Sequence, residues 1–406
     1  MARDLCSNNS KNARMKLCKT HDRNLSYQVT GDINSISEIW DAFLPQDHHL
    51  QSRFLKILPD SGLEDVKYHF LLIYQSGTCI GLASFQEFRF HSGHYDSSFL
   101  NNGPLSLIRQ ILICHETGIL ICGNLFHLNE EGFYFQDTKN RSLILEIARD
   151  LERRLKPGAL LLKDIQEPLG QEELKEHKFR TFDQDLLMEL TLNPEWLRFE
   201  DYLESLGKKY RQRAKKILDA ASTLEFRILN EDEISQNSTE LENLYQQVRQ
   251  RQAIRVGSLN GNYFLEMKKA KKDAFEIRAW FDDNRKMLAF SSHFLHPHQV
   301  REVHYIGFDS LANENHQLYF NILFDGIRAG IDHKELKIQF GRTGFDAKAS
   351  AGAVPGSMLH YFRLKRGLPT ITFNYMSRAL ENREKPDWKN RNPFKEPAQE
   401  ILKTEA

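Results

Sequence analysis

The two halves of this 406-residue chain repeat one order of apolar runs, and that order limits the fold more than any other feature. In the first half, residues 68–74 and 78–90 read as adjacent antiparallel strands joined by a turn at Gln75-Ser76-Gly77. Residues 111–122 read as a third strand. Residues 141–155 read as an amphipathic helix, with Leu143, Ile144, Ile147, Leu151 and Leu155 on one face and Pro157-Gly158 as its stop. Residues 159–165 read as a further strand. In the second half the same series is 274–281, 286–295, 302–308, 318–329 and 336–340. A long helix is expected over 202–221, a strand over 224–229 and a helix over 238–252. Asn193-Pro194 is the natural seam. The expected organisation is a basic, flexible tail over 1–24, domains over 25–195 and 196–382, and a polar tail over 383–406.

Lysine plus arginine and aspartate plus glutamate both number 55, so the net charge is zero, which argues against a strongly basic surface for duplex DNA. No apolar run approaches the roughly 20 residues of a membrane-spanning helix, and residues 1–24 lack the apolar core of a secretory signal. The five cysteines are odd in number and form no CxxC. They speak against a disulfide framework or a zinc site, and a reducing cytoplasm is the simplest home. Adjacent His48 and His49 point in different directions on regular structure, so no metal is expected there. No GxSxG, P-loop or HExxH occurs.

Three segments carry a family likeness: 199–217 (FEDYLESLGKKYRQRAKKI), 278–294 (RAWFDDNRKMLAFSSHF) and 340–363 (FGRTGFDAKASAGAVPGSMLHYFR). With the element order, they make the chain resemble tandem GNAT acyltransferases of the Fem-type and peptidoglycan-biosynthesis-like group, over most of 25–380. The resemblance implies an α/β (α+β) fold of two tandem GNAT-like domains, each a mixed, mostly antiparallel sheet flanked by helices. It implies transfer of an acyl or aminoacyl group from acyl-CoA or a similar activated donor to a small-molecule or lipid-linked amine, in cell-envelope or lipid metabolism. It also implies that the second half carries most of the site. The family's glycine-rich pyrophosphate loop has no counterpart in 309–317 (DSLANENHQ). Some Fem-type proteins use aminoacyl-tRNA, so that departure bears on CoA and not on acyl transfer itself. The alternative from another class is a catalytically silent duplicated scaffold that binds lipid or envelope precursors.

Six cations crowd residues 208–216, and Lys208, Arg211 and Lys215 share one helical face. They suit a donor's phosphates, and equally an RNA acceptor stem or an anionic membrane surface, which would place the protein peripherally at the inner face of the membrane. A plain solvated helix face is the other reading. On strand 302–308, strict alternation puts Glu302, His304 and Ile306 on one face and Val303, Tyr305 and Gly307 on the other. Acyl transfer to an amine needs a base and an acid, for which His304 and Tyr305 are the candidates, with His293 beside the substrate. In the loop expected over 341–348, Asp346 is a third catalytic candidate. Arg342 and Lys348 are placed to bind a carboxylate-bearing acceptor in the cleft between the domains. Arg249, Arg251 and Arg255 flank the loop before the hairpin, and Arg251 is a substrate-binding candidate.

Overall fold

The computed structural model describes residues 16–20, 24–63, 66–89, 118–252, 257–364 and 391–395. They form two compact units. The first contains the described residues before 90, 118–182 and 359–364; the second contains 183–358 and 391–395.

The first unit is built on strands β1 (Lys16–Lys19), β2 (Leu25–Thr30), β3 (Val66–Gln75), β4 (Thr78–Arg89), β5 (Gly118–Cys122), β6 (Phe133–Phe135) and β7 (Ala159–Leu162). Residues 16–19 thus form a strand, although the sequence places them in a tail. Three short helices, α1 (Ser37–Ala42), α2 (Ser52–Leu55) and α3 (Ile57–Asp60), precede β3. α4 (Leu143–Leu155) and α5 (Gln171–Glu176) come later. β3 and β4 form a hairpin whose two turn residues, Ser76 and Gly77, both have positive φ (49° and 85°), the geometry that matches strand twist in a two-residue turn. The order is β1-β2-β3-β4-β5-β7, with the end of β14 (Val354–Leu364) beyond β7 and β6 on β4. Only β5 and β7 are parallel. The buried stripe of α4, Ile144, Ile147, Ala148 and Leu151, packs on this sheet with Leu71, Phe85 and Leu160. Of the third strand expected over 111–122, residues 118–122 form β5, and 111–117 lie outside the described residues.

The second unit takes in most of β8 (Arg180–Thr191), then α6 (Phe199–Ser205), α7 (Lys208–Ala220), β9 (Glu225–Leu229), α8 (Glu231–Gln236), α9 (Ser238–Arg249) and α10 (Gly261–Lys271). β10 (Phe275–Phe281), β11 (Met287–His296) and β12 (Val300–Phe308) follow. α11 (Ser310–His316), α12 (Leu318–Asp332), β13 (Lys337–Gln339) and α13 (Phe345–Ser350) complete it. The strand order is β8-β13-β12-β11-β10-β9, antiparallel except for β12 with β13. α12 covers one face, where Leu318, Ile322, Ile327 and Ile331 join the core. Each unit therefore has two antiparallel strands, a third, a helix, and a last strand parallel to the third. Two residues past that last strand the backbone is left-handed in both: Asp164 at φ 56° and Gly341 at φ 80°. The α/β class with mixed, mostly antiparallel sheets flanked by helices holds.

Three local expectations fail for identifiable reasons. The helix expected over 202–221 is broken: Leu206 is extended (φ −68°, ψ 142°), and the Gly207 N–H donates to Pro393 O instead of continuing the helix. α10 escapes sequence reading because Lys268, Lys269 and Lys271 blur its stripe. Asn260 starts it, its side chain accepting from the Tyr263 N–H. The loop expected over 341–348 becomes helical from Phe345, so Asp346 and Lys348 do not share a side: Asp346 is exposed and Lys348 buried. Among the described residues no helix is long and apolar enough to cross a membrane.

Candidate functional site

β12 holds one residue more than β11 can pair. Ser291 faces Ile306 and His293 faces Val303, so Ser292 alone stands opposite both His304 and Tyr305. This is a β-bulge, and a bulge re-aims side chains. Ser292 closes it: its Oγ accepts from the Tyr305 N–H (3.0 Å) and donates to Tyr305 O (3.2 Å). Beyond the bulge the alternation resets. Val303 lies against Gly326 of α12, whereas Gly307 meets the backbone of α9 at Leu244 and Tyr245. His304 reaches Tyr263 of α10, and Tyr305 stacks edge-on against Tyr245 of α9 (5.4 Å). Hence Glu302, His304, Tyr305 and Gly307 share the α9/α10 face. The strict alternation that separated His304 from Tyr305 does not hold, and their rings lie 4.3 Å apart.

Glu302 centres a hydrogen-bonded chain. It accepts from His296 Nε2 (2.7 Å) and His304 Nδ1 (2.8 Å), and His304 Nε2 lies 2.9 Å from the Tyr263 hydroxyl. Burial pushes the Glu302 carboxyl up, but the two histidine hydrogen bonds more than offset it and hold the group at about 2. The His304 side chain is only 2% exposed while His296 is 27% exposed, so the chain leads from solvent inward. Both ring nitrogens of His304 are occupied, which makes it a proton relay better than a base in direct contact with substrate.

His293 lies on the opposite face in a second network. Arg301, fully buried, reaches Glu276 (2.9 Å), Glu335 (2.8 Å), His333 Nδ1 (2.9 Å) and His293 Nδ1 (3.1 Å). Arg278 adds Asp325 and Glu276. Burial, then the charges of Arg301 and Arg278, hold the His293 pKa well below the usual imidazole value. His293 is therefore a neutral acceptor from Arg301, set apart from the face that carries Glu302.

β12 pairs with β13 only over Val300–Glu302, against Lys337–Gln339. Past Glu302 the two strands part, and no described strand pairs with β12 on that side. The parting leaves an opening beside β12 on this side. Tyr305 lies on this stretch. Burial pushes its phenol well above the usual range, Tyr245 and Glu302 add to that, and the nearby charge of Arg342 opposes it. The phenol therefore keeps its proton. Arg342, half-buried, sits in the Gly341–Gly344 turn, whose two glycines both have positive φ. Lys348, buried, donates from below to Gly341 O (3.2 Å). Asp346 faces away and pairs with Arg391 (3.7 Å). Arg251 is exposed, bonded to Ser310 Oγ and placed 5.5 Å over the Phe308 ring. Arg255 lies outside the described residues.

α7 buries Ala214 and Ile217 and turns its cations outward. Lys208, Lys209, Arg213, Lys215 and Lys216 are exposed and Arg211 is half-buried. Among the described residues none of the six has a carboxylate partner; Arg213 lies over the Phe320 ring (4.8 Å). The start of α11, which follows β12, is closed to an anion. Asp309 Oδ1 already accepts from the Leu311 and Ala312 N–H groups (2.9 Å each).

The first unit keeps its parallel pair together. β5 and β7 pair through Cys122 and Leu162, and the Lys163 N–H then donates to Cys122 O (2.9 Å). Lys163 Nζ, buried, is bound by Asp164 and by His127 O (2.6 Å). Sequence reasoning missed Glu302, Tyr263, His296 and Arg301 as site residues. The i, i+2 spacing of Glu302 and His304 in an apolar strand was the available signal.

No protein-family model matches the sequence, and no curated protein matches it either. Solved structures do. L-PGS from Bacillus licheniformis is 11% identical at TM-score 0.48, with 84% of this chain and 96% of that one covered. The C-terminal domain (DUF2156) of a putative lysylphosphatidylglycerol synthetase from Agrobacterium fabrum is 11% identical at TM-score 0.47, covering 86% and 96%. A tandem GNAT protein from the clavulanic acid biosynthesis pathway is 8% identical at TM-score 0.41, covering 87% and 98%. Identities and TM-scores this low carry no activity from those proteins to this chain.

Proposed function

We infer that the chain is an acyltransferase whose working site is the opening between β12 and β13 of the second unit. It transfers an acyl or aminoacyl group from an activated donor to an amine. The observation that carries this is the bulge at His304-Tyr305, placed where β12 loses its parallel partner. An extended thioester or ester donor fits the opening there, and Tyr305 and Arg342 flank its carbonyl. Tyr305 gives a proton to the leaving sulfur or oxygen. Arg342 offsets the negative charge that develops on the carbonyl oxygen. The Glu302–His304–Tyr263 chain takes up and passes on the proton released by the acceptor amine. The first unit, whose parallel strands stay paired, is the degenerate copy.

Acetyl-CoA supplied with a panel of amines, with free thiol as the readout, tests the reading. Tyr305→Phe is expected to lower turnover by about 10²-fold or more while the variant stays folded. Full turnover in that variant removes Tyr305 from the chemistry.

The donor's phosphates are assigned to α7, because Asp309 already occupies the amides that open α11. The triple variant Lys208→Gln, Arg211→Gln, Lys215→Gln is expected to weaken acetyl-CoA binding and to flatten its dependence on salt. An unchanged salt series would return α7 to a solvated face. The Asp309 cap also favours the second reading, a silent scaffold. If acetyl-CoA and longer acyl-CoAs neither raise the melting temperature nor release thiol, that reading is preferred.

A further inference from the structure

Lys348 is 4% exposed, yet no carboxylate among the described residues lies within ion-pair distance of it. Its ammonium has one hydrogen-bond acceptor, Gly341 O at 3.2 Å. The nearest acid in sequence, Asp346, is turned outward by α13 and engaged by Arg391. Packed around the amine are the turn glycines. A Cβ on Gly341 would lie 3.9 Å from Nζ, and one on Gly344 would lie 4.0 Å from Cε and 2.4 Å from the Tyr319 hydroxyl. A buried cation without a counter-charge is costly, and a lysine so placed sheds its proton. Burial, with no other group contributing, pushes this amine down to about 7. The buried arginines of the unit differ: Arg301 and Arg278 are each matched by carboxylates.

We propose that Lys348 is a self-acylation site, a buried amine without a carboxylate partner among the described residues, seated beneath the Gly341–Gly344 turn, that takes an acyl group from the activated donor of the adjoining site. The proposal rests on the acyl-transfer reading above. In the step, the Nζ lone pair attacks the thioester or ester carbonyl carbon, forming the C–N bond. The C–S or C–O bond breaks, and the leaving sulfur or oxygen carries off its electron pair. Nζ then loses one proton to that leaving group. The product amide bears no charge, so acylation removes the cost of burying a cation and leaves one N–H for Gly341 O. The adduct is stable and not an intermediate. It marks the turn that carries Arg342, and so alters the site that made it.

Two probes on the full chain keep this inference separate from the functional reading. p-Nitrophenyl acetate is small and asks only whether the amine is neutral and reachable; acetyl-CoA asks whether the site delivers acyl groups. Adducts are located by peptide mass mapping at neutral pH. Lys348 is expected to react with p-nitrophenyl acetate at least about tenfold faster than the exposed Lys208 and Lys209, because burial lowers the Lys348 amine. Lys348→Arg should lose that adduct and no other. Acetyl-CoA should then mark the same residue. If exposed lysines react with p-nitrophenyl acetate and Lys348 does not, the proposal is overturned, whatever acetyl-CoA does. If p-nitrophenyl acetate marks Lys348 and acetyl-CoA does not, the acyl-accepting amine stands and acyl-CoA is rejected as donor. Lys348→Gln, which removes the buried charge, is expected to melt no lower than the parent below neutral pH. A clear loss of stability there would show that the amine is a needed cation and would also overturn the proposal.

Discussion

Arg301→Ala is expected to destabilise the second unit by about 3–5 kcal/mol, the range for removing one partner from a buried ion pair. The guanidinium is fully buried and serves Glu276, Glu335, His293 and His333 at once. Its loss does not strand them equally. Glu276 keeps Arg278 at 3.0 Å, but Glu335 has no other ion-pair partner among the described residues. Burial already pushes the Glu335 carboxyl above its usual value even with Arg301 present. Without Arg301 it will go higher and take a proton on mild acidification. The penalty should therefore be smaller at pH 5 than at pH 8. Denaturant titrations followed through tryptophan fluorescence, to which Trp280 in the core of this unit contributes, measure both quantities as midpoint shifts at constant slope. Adding Glu335→Gln to Arg301→Met should recover much of the loss, because no charge is then left alone. A penalty under about 1 kcal/mol would mean that water reaches the network.

Much of the fold was legible because it rests on patterns that depend on local sequence. Adjacent apolar runs with turn residues between them gave β3–β4 and β10–β11, and the helical stripes gave α4 and α12. What stayed hidden depends on single residues making long-range contacts. The break between α6 and α7 is fixed by Gly207 bonding to Pro393, nearly two hundred positions away. The bulge in β12 needs Ser292, on another strand, to satisfy a displaced amide. A period-two reading contains no term for an inserted residue, so it separated two side chains that the fold brings together. The same limit applies to charges. Asp346 and Lys348 look like a pair in sequence, but two positions on a helix lie on nearly opposite sides, so α13 sends one to solvent and the other inward.

Glu302→Gln is expected to cost about 3 kcal/mol near neutral pH, and the cost should disappear in acid. The magnitude follows from linkage: a carboxyl near 4.3 in the unfolded chain and held at about 2 in the fold gains roughly two pKa units of stabilisation when ionised. A lowered folded value means that the unfolded chain binds the proton more readily. The contribution is therefore complete above about 4.3 and is lost as pH falls from there toward 2. Subtracting the unfolding free energy of the glutamine variant from that of the parent at each pH reads Glu302 together with the two histidines bonded to it, since other carboxylates titrate in both proteins. The difference should shrink as pH falls from about 4.3 toward 2. Glutamine keeps the size of the side chain but offers one acceptor oxygen, where Glu302 accepts from both His296 and His304. His304 then loses the partner that fixes the proton on Nδ1, and Tyr263 loses a ring nitrogen held ready to accept. If the relay serves acyl transfer, the variant's turnover should fall while its binding of donor stays the same. A difference that does not vary between pH 7 and 3 would show that the fold does not hold the Glu302 carboxyl below its unfolded value, and one that grows as pH falls would show that Glu302 is protonated in the folded protein; in either case the relay from His296 to Tyr263 would lose its charged centre.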